Sequence, residues 1–162
     1  MKGNAEVIKV LNEVLRKELT GINQYFIHSK MCKNSGYEVL AGVAWKESIE
    51  EMKHADQIIE RILFLEGIPN LTGCDKISVG SSVKQQLAND LGLEEGAVVV
   101  LKGGIKSCFD AVTTPAGSFW SIFWSIKKSM STGSKPSCMK STNSDTRITS
   151  RSKSTKRANL SN

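Results

Sequence analysis

What the 162 residues lack narrows the reading first. No run of about 18 apolar residues occurs, so no transmembrane helix is expected. The opening stretch, MKGNAEVIKVLNEVLRKELT, is charged and amphipathic and lacks the apolar centre of a secretory signal. There is no CxxC pair. The four cysteines, at positions 32, 74, 108 and 138, stand far apart without zinc-ligand spacing and read as unpaired thiols of a reducing cytoplasm. Acidic residues nearly vanish from the last third: residues 116–162 hold 9 Lys/Arg against Asp145 alone, a net of +8, together with 13 serines. Residues 1–115 carry 13 Lys/Arg and 15 Asp/Glu, a net of −2, so the formal +6 averages two unlike parts. The length suits one domain with a core large enough to fold alone.

The first part has helical periodicity. Val7, Val10, Leu11, Val14, Leu15, Leu19, Ile22 and Phe26 form a stripe of period near 3.6. A second segment, from about Tyr37 to Glu66, repeats the pattern with Leu40, Val43, Ala44, Ile49, Ala55, Ile58, Ile59 and Ile62. GIPNLTG follows, where Gly67 is placed to end the helix and Pro69 to prevent its continuation. A third helix is expected from near Ser82 through VKQQLANDLGLEEGAVVVLKGGIK, against the cost of Gly92, Gly96, Gly103 and Gly104, each up to about 1 kcal/mol relative to Ala. Three long helices with short links predict an all-α, up-down bundle, which calls for a fourth.

Polar residues interrupt these stripes. Glu18 lies four after Val14 and four before Ile22, on the apolar face, with Tyr25 at i+7 able to hydrogen-bond a carboxylate. Glu51 and His54, in EEMKHAD, are three apart and share a helix face. Glu94 falls four before Val98 on the third helix. Taken alone, the Glu51/His54 spacing reads first as a solvated helix surface, and Glu18 as the edge of its stripe reaching water. Together, one Glu from each of two helices and a Glu-x-x-His pair are most of a di-iron carboxylate site inside a four-helix bundle. A buried carboxylate is costly unless it is paired or bound to metal.

The stretches LNEVLRKELTGINQYFIHSKM (11–31) and ESIEEMKHADQIIERILFLEGIPNL (47–71), and more loosely LANDLGLEEGAVVVLKGGIKSC (87–108), resemble the bacterioferritins of the ferritin-like family. The resemblance covers residues 1–110. It implies that Glu18, Glu51 and His54 ligate one iron, that Glu94 belongs to the second, and that Glu51 bridges them. It implies also that Met52 ligates haem b iron, one methionine from each of two subunits, within a 24-subunit homo-oligomeric shell. Met52 is about 100° around the helix from Glu51 and so points away from the bundle interior. Lys46 stands where some relatives carry an iron-handling histidine, with Trp45 beside it.

Residues 111–162 depart from that pattern, with no second Glu-x-x-His and no histidine. Read literally, SFWSIFWSIKK has the make-up of a short membrane-surface helix, and the Ser/Lys/Arg tail that of a disordered segment. The genetic code offers another explanation. Joining the last base of each codon to the first two of the next, residues 118–138 re-read as LLEHILEYQEEHVDWLETQL, an amphipathic helix resembling the missing fourth. TRITSR (146–151) likewise yields QNYLQ. Trp and Met have one codon each, and these fixed points agree. A one-base frame change is the reading adopted for this aberrant, partly disordered segment. One ligand is not recovered: Ile126–Lys127 yields Gln or Lys but never Glu. The written chain places Lys127 and Met130 where the second pair belongs, and both are poor partners for hard iron ions.

The expected function is therefore iron storage and detoxification in the cytoplasm by ferroxidase chemistry and ferric mineral deposition, impaired in this copy. A non-catalytic haem-binding or partner subunit of a mixed shell is the alternative. A nucleic-acid-binding tail is a minor one, since no base-stacking motif accompanies the charge, and no membrane partner is expected.

Overall fold

Asn4 opens the first helix by accepting the Glu6 amide on its side chain at 2.8 Å, with Glu6 itself in the first turn and Lys33 in the last, the arrangement a helix dipole favours. In the computed structural model, which describes residues 3–110, this helix is α1, Ala5–Asn34. A tight turn follows in which Gly36 takes the left-handed conformation (φ 82°), and the chain reverses into α2, Glu38–Phe64. The third, α3, spans Val83–Asp110 and begins with a capping-box-like arrangement: the Ser82 hydroxyl accepts the Gln85 amide, and the Gln85 side chain accepts the Ser81 amide. The described residues are all α-helix and connections, and none of their helices is long and apolar enough to cross a membrane.

Two sequence expectations need correction. The links are not both short. Residues 65–82 form a strap that runs alongside α1 in α1's own direction. The Asn12 amide donates to the Ile68 carbonyl, Lys17 pairs with Asp75, the Ser78 amide donates to Gln24, and the Gly80 amide donates to His28. α2 and α3 are therefore parallel to each other and both antiparallel to α1, which replaces the simple up-down order with one long crossover. Nor does Gly67 supply the left-handed residue that ends α2. Glu66 does (φ 58°), while the Gly67 amide reaches back to Ile62 and the Glu66 amide to Leu63, the two bonds of a Schellman motif. Gly67 is required for another reason: a Cβ there would lie 2.8 Å from Ile8 and 3.0 Å from Ile62.

The apolar core gathers at one end of the bundle. Val7, Leu11, Val14 and Leu15 of α1 meet Ala55, Ile58 and Ile62 of α2, Leu65 after it, and Leu101 of α3. Leu15, Ile58, Ile62 and Leu101 are fully buried, and each such side chain contributes about 1.5–3 kcal/mol of transfer free energy. This packing explains why α3 forms despite its glycines: Ala97 and Leu101 anchor it to α1, while Gly92, Gly96 and Gly103 face open space, where a missing side chain costs only propensity. Phe26, counted in the first stripe, is exposed instead and packs at 5.7 Å, tilted by 49°, against Trp45 of α2, with Lys30 over both rings. The expected fourth helix and the frame-changed tail fall on residues 111–162, outside the described residues.

Candidate metal centre

Beyond the apolar end the facing surfaces of α1 and α2 become polar without becoming exposed. Eight α1 positions spaced alternately by four and three are all buried: Val7, Leu11, Val14, Glu18, Gly21, Tyr25, His28 and Cys32. Such a seam is continuous down one helix face, so Glu18 sits in the interior and the solvated-edge reading of it does not hold. On α2, Glu51, His54, Ala55 and Ile58 form the opposing face. Gly21 lies directly against Glu51, leaving room for that carboxylate at the helix interface.

The result is a three-residue cluster. One ligand atom from each of Glu18, Glu51 and His54 lies within 4.8 Å of the others, and all three residues are at most 4 % exposed. The His54 Nδ1 is 3.1 Å from a Glu51 oxygen and 3.3 Å from a Glu18 oxygen. Burial lowers the His54 pKa, but hydrogen bonds to Glu18 and Glu51 and their charges outweigh it and push the ring up to about 9. Two buried carboxylates facing one imidazole, whose charged form they stabilise, are an environment suited to positive charge. Two carboxylates and an imidazole are also donors that suit ferrous iron, so the residues fit the metal the sequence called for.

Glu94 is placed differently. It is half-buried on α3, outside the three-residue cluster, and accepts a hydrogen bond of 2.8 Å from the Tyr25 hydroxyl. Burial, with the charges of Glu94 and Asp90, holds the Tyr25 phenol far above its ordinary pKa, so Tyr25 is a permanent donor here. Glu47, one turn before Glu51 on α2, is half-buried, and its carboxyl is raised by burial and by the charges of Glu51 and Glu94. Met52 projects to the other side of α2, half-exposed, one residue from Glu51 but away from the cluster. Seven residues before it on the same face is Trp45, which brings Phe26 with it. Met52, Trp45 and Phe26 are thus three exposed large apolar side chains on the outside of the α1–α2 pair. Lys46 is exposed.

Sequence reasoning missed a second buried polar group. His28, Gln24, Asp90 and Gln86 are each at most 8 % exposed and lie beyond Tyr25, between α1, α3 and the strap. The signal was available in the four-three spacing of α1, which continues through Tyr25 and His28 after the apolar stripe drifts outward to Phe26.

The family defined by the ferritin-like domain matches residues 8–116. Among curated relatives, the bacterioferritin of Mycobacterium bovis is 44% identical over 108 residues, 67% of this chain and 68% of the relative. That of Rhodobacter capsulatus is 44% identical over 108 residues, 67% of each chain. That of Streptomyces coelicolor is 42% identical over 106 residues, 65% of this chain and 64% of the relative.

Proposed function

The chain belongs to the bacterioferritin family of ferritin-like proteins, whose role is iron storage, and from that premise we propose that Glu18, Glu51 and His54 bind ferrous iron as one half of a two-metal ferroxidase centre. The observation that carries this reading is the cluster itself: two carboxylates and one imidazole, buried together where an apolar seam would otherwise continue. Ferrous iron held there would be oxidised to ferric ion, with dioxygen or peroxide as the electron acceptor, and the ferric ion would be deposited in the shell. Glu18, Glu51 and His54 would hold the first metal, Glu51 would be shared with the second, and Glu94, which accepts a hydrogen bond from Tyr25, would contribute to that second position. The proton on His54 must leave as the metal enters. Met52, exposed on the outer side of α2, would hold haem b together with a second copy's methionine in a 24-subunit shell.

Residues 111–162 weaken this function in the written chain. They hold no histidine and a single acidic residue, Asp145, so they offer no second Glu-x-x-His to the second metal. We read them as the product of a one-base frame change; coding DNA that, shifted by one base, failed to spell a helix with acidic and histidine ligands would remove that explanation. The alternative role, a non-catalytic haem-binding or partner subunit, is favoured by the same lack of ligands.

The test is titration of the full chain with cobalt(II), followed by its visible absorption. One site is expected, lost in Glu51→Ala, with ferrous oxidation far slower than in an intact relative. Equal cobalt binding by parent and Glu51→Ala contradicts the metal centre. Rapid ferrous oxidation by the 162-residue chain contradicts the impairment. Haem absorbance retained in Met52→Leu contradicts the haem assignment.

A further inference from the structure

His28 is a buried imidazole, 1 % exposed, that the metal cluster does not use. Its two ring nitrogens face different parts of the chain. The Gly80 amide of the strap points at Nε2, 3.3 Å away. An amide N–H only donates, so Nε2 accepts, and the proton of the neutral ring sits on Nδ1. That nitrogen is 2.8 Å from the Asp90 Oδ1 on α3. Gln24, one turn earlier on α1, repeats the arrangement: its oxygen accepts the Ser78 amide at 3.0 Å and its nitrogen donates to the same Asp90 oxygen at 2.9 Å. Two side chains of α1 thus grip the strap with one end and α3 with the other.

Asp90 lies one turn before Glu94 on α3, and the two share a helix face. Between Gln24 and His28 on α1 is Tyr25, which donates to Glu94. The helix pairs that pack extensively are α1 with α2 and α1 with α3, so the register of α3 against the cluster is set from α1. At the far end that register rests on Leu101 and Ala97. At the near end it rests on the Asp90 clamp. Glu94 lies between the two.

We infer that His28 is a positioning residue of the metal centre, holding Asp90 and through it the placement of Glu94 against Tyr25. The inference rests on the reading of Glu94 as a second-metal ligand. Removing the imidazole leaves Asp90 with Gln24 as its remaining donor of the pair and lets this stretch of α3 shift, while Glu18, Glu51 and His54, on α1 and α2, keep their places. An Asn at 28 puts an N–H donor close to the position of Nδ1 and restores the grip; a Leu fills the volume without it.

The chain has two tyrosines, Tyr25 buried and Tyr37 exposed, so 3-fluorotyrosine labelling gives two 19F resonances, assigned with Tyr37→Phe. In the metal-free full chain, Glu94→Gln is expected to move the Tyr25 resonance. His28→Leu is expected to move it in the same direction, and His28→Asn to return it toward the parent position, with helicity unchanged. Cobalt(II) affinity of His28→Leu is expected to stay within about twofold of the parent, as for a site sharing no partner with the change. A Tyr25 resonance unmoved by His28→Leu, or unmoved by Glu94→Gln, overturns the inference. So does a His28→Leu loss of cobalt affinity as large as that of Glu51→Ala, which marks general damage. Should His28→Leu fail to fold, Asp90→Asn takes its place with the same expected shift. Absence of cobalt binding in the parent is a separate result that strikes the metal centre itself, whatever the Tyr25 resonance does.

Discussion

Gly21 is where metal affinity and stability should come apart. A Cβ on this residue would lie 3.1 Å from the Glu51 Cγ, against an ordinary carbon–carbon contact of about 3.5–4.0 Å. Gly21→Ala therefore drives the Glu51 side chain back by a few tenths of an ångström. Glu51 is 2 % exposed and pressed between α1 and its own helix, so it has little space to yield into. For stability the change has two opposing parts. Ala in the middle of a helix gains roughly 0.5–1 kcal/mol over Gly, and overpacking a tight interface costs about 1–3 kcal/mol. The net is a modest loss, about 1 kcal/mol. Metal binding has no such offset, because ligand distances are tolerated only within about 0.2 Å of their preferred values. A loss of about 1.4 kcal/mol, tenfold in affinity, is expected on top of the stability change. Cobalt(II) titration by visible absorption and urea denaturation of the same metal-free samples measure the two quantities separately. Unchanged cobalt affinity in a folded Gly21→Ala protein would show that Glu51 is not a ligand held at this interface.

The remaining predictions concern stability. His54 has a folded pKa of about 9 against an ordinary 6.5, so its contribution to metal-free stability is full below about pH 6.5 and is lost as pH rises through 9. The urea midpoint of the metal-free protein should fall between those limits, and His54→Gln should remove that part of the pH dependence. Gly67→Ala should destabilise by about 1–3 kcal/mol through Ile8 and Ile62, read as a lower urea midpoint; an unchanged midpoint would mean that the Schellman turn relaxes freely. Ile58→Ala, at a fully buried position, should cost about 2–5 kcal/mol with an unchanged denaturant slope, and a cost under 1 kcal/mol would place Ile58 outside the core.

The parts of this fold written in local periodicity were legible, and those written in long-range contact were not. The helices could be read from apolar spacing, and Glu18, Glu51 and His54 stood out because each breaks an apolar face at a place where a side chain must point inward. The strap was invisible because its hydrogen bonds run to α1 residues more than fifty positions away, such as Ser78 to Gln24, and no local pattern encodes them. The short-link assumption therefore failed, and with it the relative direction of α2 and α3. Gly67 was read as a conformational stop because glycine usually is one. Its actual constraint, the side chain of Ile8, lies almost sixty residues earlier. The first stripe was followed to Phe26 on an ideal 3.6-residue period, whereas the buried seam keeps the four-three spacing of a packed helix pair and reaches Tyr25 and His28.

That seam also divides the centre into two halves with different dependences. Glu18, Glu51 and His54 come from α1 and α2, which a tight turn joins and which pack along most of their length. Among the described residues, none beyond residue 64 joins that cluster, so it should bind one divalent metal without help from residues 111–162. The proposed other half would begin with Glu94, which accepts from Tyr25 of α1 one turn after the Asp90 clamp, and would need donors beyond Glu18, Glu51 and His54. Oxidation by a metal pair requires both halves, whereas binding requires one. The full chain should therefore retain cobalt affinity while oxidising ferrous iron slowly. A chain that lost both together would show that the first half is not independent, and that α1 and α2 need a fourth helix to bring their ligands into contact.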